Sequence, residues 1–206
     1  MAKLYFRYGA MGSSKTANAL MVCYNYEEKG QKAIILKPRV DKRDGDVTIR
    51  SRIGLEREGM YAEEFLENVR TNWLPLLGPE NEKPSEGEWT QYQCIIVDEV
   101  QFLKKEQIDL LADIVDYFDI PVICYGLRTD FTSTLFEGSK RLFEVADRIE
   151  EIPTVCWCGR RAHFNARFSD GKILRIGEQI FLGANESYVS LCRRHFKEGN
   201  LGEKGR

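Results

Sequence analysis

The sequence predicts an α/β protein whose parallel sheet is covered by helices. Three observations support this prediction: a strand, a glycine-rich turn and a helix open the chain, short apolar runs recur along it, and an amphipathic helix separates two of these runs. With 206 residues, the chain is long enough for one domain with its own core and a small additional unit.

The first elements are a strand and a helix joined by a tight turn. Apolar and polar residues alternate over Lys3 to Tyr8, which predicts a strand that enters a turn at Gly9. Apolar residues then recur at helical spacing over Thr16 to Lys29, and the glycine that follows suits a helix C-terminus. This succession is typical of the first unit of an α/β fold.

Three short apolar runs predict further buried, parallel strands. They are Ala33 to Leu36, Cys94 to Val97 and Pro121 to Tyr125. Apolar residues spaced by three and four over Ile108 to Phe118 predict an amphipathic helix between the last two. The charged stretch Asp41 to Gly54 and the stretch Leu77 to Trp89, with its prolines and glycines, are predicted to be loops.

The texture of the sequence changes near Glu150. Beyond it, strong helical periodicity ends, and cysteines and a histidine stand between short apolar runs. We therefore expect an α/β unit over residues 1–150 and a smaller unit over residues 151–197. The remaining residues, 198–206, are polar and rich in glycine, and we expect them to be disordered.

Charge and hydropathy argue against two classes of partner. The chain carries 30 Lys and Arg against 32 Asp and Glu, so its net charge is −2 and it has no overall positive field for nucleic acid or an anionic membrane. No apolar stretch approaches the roughly 20 residues that span a bilayer. The first residues lack the pattern of a secretory signal. We expect a soluble, cytoplasmic protein whose cysteines stay reduced.

A phosphate-binding loop is predicted between the first strand and the first helix. Backbone N–H groups and the positive helix end would surround the phosphates there, with Lys15 reaching their oxygens and Thr16 ligating Mg²⁺. Ser14 stands where the usual pattern has glycine, which is tolerable if its φ is negative or the strain is modest, and Gly12 adds flexibility. A simple glycine turn with a capped helix is the alternative. The loop consists of Gly9, Ala10, Met11, Gly12, Ser13, Ser14, Lys15 and Thr16.

Two acidic residues, Asp98 and Glu99, follow the apolar run Cys94 to Val97. Nucleotide-binding sheets present an acid to Mg²⁺ at this kind of strand end, so the acids and the loop together predict a nucleoside triphosphate site. One acid would lie near Mg²⁺ and the other would act as a general base. Alternation along a strand sends the two side chains in different directions, without indicating which one faces the loop. These residues alone do not distinguish transfer to water from transfer to a substrate.

The C-terminal unit carries a candidate metal site. Cys156-x-Cys158 and Cys192-x-x-His195 offer three thiolates and an imidazole, which suits tetrahedral zinc. All four ligands would be protein atoms, so the site would be structural. The first pair is more tightly spaced than is common, and unligated buried thiols are the alternative. The other cysteines are expected in the core: Cys23, Cys94 and Cys124.

Short motifs occur in a fixed order over nearly the whole chain. They are Gly9-Ala-Met11 with Ser14-Lys15-Thr16, then IIVDEVQF at 95–102, CYGLRTDF at 124–131, CWCG at 156–159 and GANESYVSLCRRH at 183–195. In order and spacing they resemble the thymidine kinases shared by bacteria and the animal cytosol. The resemblance implies a RecA-like phosphate-loop fold with a small C-terminal zinc-binding domain of the lasso type. It also implies transfer of the γ-phosphate of ATP to the 5′-hydroxyl of thymidine or deoxyuridine in pyrimidine salvage.

The resemblance further implies roles for individual residues. Lys15 and Thr16 hold phosphate and Mg²⁺, Asp98 lies near the metal, and Glu99 is the general base on the 5′-hydroxyl. Arg52, in a flexible loop, contacts phosphate. Backbone groups within 179–185 read the base. The nucleoside pocket is formed by Met11, Phe102, Leu127, Phe131, Phe181, Gly183 and Tyr188.

The resemblance also implies a homotetramer that is inhibited by dTTP. Two other functions stay open on the sequence. One is a DNA-dependent ATPase with a zinc ribbon, against which the balance of charge argues. The other is a nucleotide sensor without catalytic activity, with Ser14 as a sign of lost phosphate transfer.

Overall fold

The computed structural model describes residues 1–41, 45, 47–179 and 188–205. Its first half alternates strands with helices and contains one hairpin. The elements are β1 (Leu4–Tyr8), α1 (Lys15–Glu27), β2 (Ala33–Lys37), the hairpin β3 (Thr48–Arg50) and β4 (Glu56–Glu58), β5 (Met60–Tyr61) and α2 (Ala62–Asn68). A π-helical turn over Val69–Trp73 continues α2, and 3₁₀ turns follow it as far as Gln91.

The second half completes the sheet and adds a small antiparallel unit. Its elements are β6 (Cys94–Val97), α3 (Lys105–Phe118), β7 (Val122–Gly126), α4 (Glu137–Val145), β8 (Arg148–Glu151), β9 (Phe164–Ser169), β10 (Lys172–Ile173), β11 (Tyr188–Leu191) and α5 (Arg193–Glu198). Within the described part of the chain, no helix combines the length and apolar character needed to cross a membrane.

Six strands form one sheet in the order β5-β2-β6-β7-β1-β8. Every neighbouring pair in it is parallel. The predicted α/β class with a parallel sheet is therefore confirmed. Because the carboxyl ends of parallel strands share one edge, the segments after β1, β6 and β7 meet at that edge.

Helices cover both faces of this sheet because its strands bury side chains on both sides. Ile95 and Val97 of β6 pack in one core with α2, α3 and α4. Cys94 and Ile96, which alternate with them, pack in a second core with α1. The prediction for the remaining cysteines is confirmed, since Cys23, Cys94 and Cys124 are all buried. Burial raises the pKa of the Cys94 thiol to about 12, which keeps it protonated.

The loop predicted over Asp41 to Gly54 contains a strand that the sequence did not indicate. Residues Thr48–Arg50 pair antiparallel with Glu56–Glu58, and Ile49 is buried between the hairpin and α1. Strands of three residues are too short for alternation to be detected. The hairpin forms one wall of the main cavity.

The C-terminal unit is a three-stranded antiparallel sheet, ordered β10-β9-β11, with α5 beside it. Its small core includes Ala166, Leu191 and Phe196. Leu201 is buried in the same core, and the indole N–H of Trp157 donates to the Asn200 carbonyl at 3.2 Å. The first residues of the tail therefore contact this unit, where composition predicted disorder.

Candidate active site

A cavity of about 510 Å³ opens at the carboxyl edge of the parallel sheet. The phosphate loop, the segments after β6 and β7, the hairpin and the C-terminal unit all contribute to its walls. Many residues predicted for the site line it together: Met11, Gly12, Ser14, Lys15, Thr16, Arg52, Asp98, Glu99, Phe102, Leu127, Phe131 and Tyr188. Gly9, Ala10 and Ser13 belong to the same loop but are not part of the cavity wall. Phe181 and Gly183 lie outside the described residues.

The phosphate loop curls around the Lys15 ammonium. Lys15 Nζ donates to the carbonyls of Gly9 and Ala10 at 3.1 and 3.0 Å and lies 3.2 Å from Ser13 Oγ. Gly9 is required for this curl, because a Cβ there would lie 2.4 Å from Ser13 Oγ and 2.5 Å from the Ile152 carbonyl. The loop therefore places one buried positive charge at the N-terminus of α1.

Ser14 adopts the left-handed conformation, with φ 58° and ψ 27°. Of the two conditions that the sequence left open for a serine here, negative φ is wrong and strain applies. A left-handed residue other than glycine costs about 1 kcal/mol. Gly12 is also left-handed, with φ 77°. The loop therefore contains two left-handed residues, and only one of them is a glycine, which adopts this conformation without strain.

Asp98 faces the phosphate loop from the end of β6. It is 4% exposed, and the Thr16 hydroxyl hydrogen-bonds its carboxylate. Its Oδ1 atom is buried without a hydrogen-bond partner among the described residues. Burial, followed by the nearby Glu99 charge, raises the pKa of Asp98 to about 7. A buried oxygen without a partner, beside a hydroxyl, fits a hard cation such as Mg²⁺.

Glu99 follows in a left-handed turn, with φ 52° and ψ 35°. This turn takes the chain out of the strand and starts a 3₁₀ turn over Val100–Phe102. Both carboxylates consequently line the same cavity. Backbone strain of this kind is concentrated at functional sites, where surrounding contacts hold it in place.

Gln101 is a site residue that the sequence did not single out. It is 2% exposed, its Nε2 donates to Glu99 Oε2 at 2.5 Å, and its Oε1 accepts from the Leu127 N–H at 2.9 Å. Gly126 makes room for it, because a Cβ there would lie 2.6 Å from Gln101 Oε1. The Gln101 amide thus links the Glu99 carboxylate to the segment after β7.

An apolar part of the cavity adjoins the two carboxylates. Phe102 packs edge-on against Phe136, with ring centroids 5.8 Å apart. Phe131 is buried, and the Arg167 guanidinium lies 5.0 Å from the centroid of its ring. Flat aromatic walls beside carboxylates suit a ligand with a planar ring and a polar substituent.

The Cys/His cluster lies in the C-terminal unit, away from the main cavity. The potential ligand atoms of Cys156, Cys158, Cys192 and His195 all lie within 4.8 Å of one another. Cys158 Sγ and Cys192 Sγ are 4.0 Å apart, close to the roughly 3.8 Å between two thiolates on tetrahedral zinc. The Trp157 ring stacks on the imidazole with centroids 4.3 Å apart, which orients it. These residues fit a four-coordinate metal ion.

His163, to which the sequence gave no role, pairs with Glu151, with Nδ1 and Oε1 2.9 Å apart. Arg161 binds the same carboxylate at 3.2 Å. This group lies behind the phosphate loop, close to Gly9 and Ala10, and does not line the main cavity.

Fold and site together define a class of protein. A phosphate loop after the first strand, an acid pair at the end of a central parallel strand and an adjoining enclosed pocket are the parts of a phosphate-loop kinase.

Comparison with known proteins identifies the family. A family model described as thymidine kinase matches residues 2–196. Thymidine kinases of Yersinia pseudotuberculosis and Haemophilus influenzae are 43% and 42% identical over 199 residues, which is 96% of this chain and 96% and 97% of those proteins. That of Lactiplantibacillus plantarum is 45% identical over 197 residues, 95% of this chain and 96% of that protein. The chain belongs to the thymidine kinase family.

Solved structures give a more distant likeness. A replication initiator DnaA bound to AMPPCP and single-stranded DNA aligns with a TM-score of 0.44 and 17% identity, over 74% of this chain and 41% of that chain. At this level the likeness carries no conclusion about function.

Proposed function

We propose that this protein is an ATP:thymidine 5′-phosphotransferase, which transfers the γ-phosphate of ATP to the 5′-hydroxyl of thymidine and produces dTMP for pyrimidine salvage. Membership of the thymidine kinase family supports this reaction. The observation that carries it is the single cavity in which the phosphate loop, two carboxylates and aromatic walls meet. A hydrolase would not need the aromatic part beside its acids.

The phosphate loop binds and orients the triphosphate. Backbone N–H groups of the loop and the start of α1 face the phosphates, and Lys15 neutralises their charge from within the curl. The Thr16 hydroxyl and the Asp98 carboxylate are the groups that would hold Mg²⁺. When bound, Mg²⁺ supplies positive charge to the phosphate oxygens. Arg52, on the hairpin side of the cavity, adds a second cation near the transferred group.

Glu99 is the general base in this proposal. It accepts the proton of the 5′-hydroxyl as that oxygen attacks the γ-phosphorus, and the bond from this phosphorus to its bridging oxygen breaks to release ADP. Gln101 donates a hydrogen bond to one oxygen of the Glu99 carboxylate. Since Gln101 is itself fixed, this bond also sets the orientation of the second oxygen. Phe102, Phe131, Leu127 and Tyr188 enclose the nucleoside and exclude water from the attacking oxygen.

The Cys/His cluster is proposed to bind Zn²⁺ with a structural role. Support comes from the donor set and from distances that match tetrahedral coordination. Elemental analysis of the purified protein should give one zinc per chain. A chain that is folded and free of zinc would contradict this assignment.

Finer properties are proposed on the family resemblance. They are acceptance of deoxyuridine, inhibition by dTTP, a homotetrameric state and a cytoplasmic location. Addition of dTTP to the kinase assay tests the inhibition, and light scattering tests the homotetrameric state.

The deciding experiment supplies Mg²⁺-ATP with one acceptor at a time and follows ADP and phosphorylated nucleoside together. The acceptors are thymidine, deoxyuridine, deoxycytidine, single-stranded DNA and none. ADP and thymidine monophosphate formed in equal amounts, only when thymidine is present, would support the kinase. ADP that increases only with DNA would favour a motor ATPase, and no turnover with any acceptor would favour a nucleotide sensor.

A further inference from the structure

Side chains of the C-terminal unit hold the backbone of the phosphate loop. Asn165 Oδ1 accepts from the Met11 N–H at 2.8 Å, and the Ser190 hydroxyl donates to the Met11 carbonyl. Thr154 Oγ1 donates to the Gly12 carbonyl at 3.3 Å. Both polar groups of Met11 are therefore bound by residues far along the chain from the loop.

Asn165 and Ser190 are held rigidly next to each other. They lie directly opposite each other in the antiparallel pair of β9 and β11. Asn165 is 4% exposed, and its Nδ2 donates to the Thr129 carbonyl at 3.2 Å, so both ends of its amide are engaged. A side chain held in this way cannot follow Met11 if the loop moves.

This contact fixes the direction of the loop peptides. A trans peptide is planar, so holding the Met11 carbonyl also sets the direction of the Gly12 N–H on the other side of the same peptide bond. In the same way, holding the Met11 N–H sets the Ala10 carbonyl, which accepts from Lys15 Nζ at 3.0 Å. Gly12 and Ser14 are both left-handed, which leaves one permissive and one strained residue in the loop, and contacts of this kind hold such a backbone in place.

One of the strands that hold the loop leads directly into the Cys/His cluster. Ser190 of β11 lies two residues before Cys192, and the His163 N–H, next to β9, donates to the Leu191 carbonyl at 3.0 Å. We propose that Asn165 and Ser190 are positioning residues that preform the phosphate loop, which makes the C-terminal unit part of the nucleotide site as well as of the nucleoside pocket. This inference rests on one part of the proposed function, the binding of triphosphate by the loop, and does not require transfer to thymidine.

The test measures binding of a non-hydrolysable ATP analogue with Mg²⁺, using the full chain with its bound metal. Ser190→Ala removes one contact and should weaken this binding about tenfold, and Asn165→Ala, which removes two, should weaken it further. Thymidine binding by the Ser190→Ala variant should change less than binding of the analogue, since Ser190 does not line the cavity. The matched control is Ser169→Ala, which removes a hydroxyl of β9 that donates to the neighbouring Asp170 carboxylate at 3.0 Å.

Hydrogen exchange of the nucleotide-free protein separates positioning from general destabilisation. In Ser190→Ala, exchange of the peptide covering residues 9–14 should accelerate while the thermal midpoint and the metal content stay as in the control. If Asn165→Ala does not fold, the half-buried Ser190 decides alone.

Two outcomes would overturn the inference: analogue affinity of Ser190→Ala equal to the control, or unchanged exchange in the loop. A parent protein that binds the analogue but phosphorylates no thymidine would instead refute the proposed function and leave the inference standing. A parent that does not bind the analogue would refute both.

Discussion

Asp98 carries a predictable cost of stability in protein without Mg²⁺. Burial and the Glu99 charge raise its pKa from 3.8 to about 7. Between these two pH values the folded state binds a proton that the unfolded state has lost. The free energy of unfolding is therefore fully retained below pH 3.8, the pKa of Asp98 in the unfolded chain, and decreases as the pH rises to about 7. The decrease is at most about 4 kcal/mol, since each pKa unit corresponds to about 1.4 kcal/mol.

Asp98→Asn removes this cost because an amide is uncharged at every pH. It also replaces the unpartnered Oδ1 with an amide group that lacks a partner, which costs about 2 kcal/mol. The net effect above pH 7 is a gain of about 2 kcal/mol in the free energy of unfolding, or about 6 °C in thermal midpoint for a chain of this length. Phosphate transfer should be lost at the same time.

Thermal unfolding at pH 8 and pH 4.5 tests this prediction. The buffers contain neither Mg²⁺ nor chelator, because a chelator would also remove metal from the Cys/His cluster. Asp98→Asn should be more stable than the parent at pH 8 and have no advantage at pH 4.5, where the parent carboxyl is protonated. A difference of the same sign and size at both pH values would refute the reasoning.

Three further predictions concern the proposed base Glu99, Gln101 beside it and the Cys/His cluster. Glu99→Gln should keep binding of ATP and thymidine while kcat decreases by about 10² to 10⁴, and undiminished turnover would remove its assigned role. Gln101→Met deletes the donor to Glu99 and the acceptor for Leu127, so kcat should decrease about tenfold or more with little change in the thymidine KM; an equal loss in both would indicate a binding role instead. Cys192→Ser should lose stoichiometric metal and lower the thermal midpoint, and unchanged metal content would disprove the ligand set.

The parts of the fold and site that the sequence predicted are those encoded in adjacent residues. The run Cys94 to Val97 is buried on both faces, so every position is apolar, and the acids follow it directly. The phosphate loop likewise carries its glycines, lysine and threonine within eight consecutive residues, 9–16. In such segments the pattern and the structure have the same local cause.

Elements whose stability comes from their neighbours were missed. β8 has exposed charged residues over most of its length and is a strand because β1 pairs with it. α4 begins with Glu137, Gly138 and Ser139, which disfavour a helix by propensity. Gly138 is nevertheless needed, because a Cβ there would lie 2.7 Å from the carbonyls of Val100 and Leu103 in the turn that carries Gln101. Propensity alone indicates a break at the position where close packing requires a glycine.

The two positioning side chains that the sequence did not indicate each bind a backbone group that is distant in sequence. Gln101 looks like any polar residue of a turn until β7 brings the Leu127 N–H to its carbonyl oxygen. Asn165 is an ordinary strand residue until Met11 meets it across the interface of the two units. The partners of these side chains are backbone groups, which every residue type supplies. No residue type at a fixed spacing therefore marks such a contact in the sequence. Lys15 and Glu99 can thus be found from the sequence, whereas the groups that hold their segments in place require the tertiary structure.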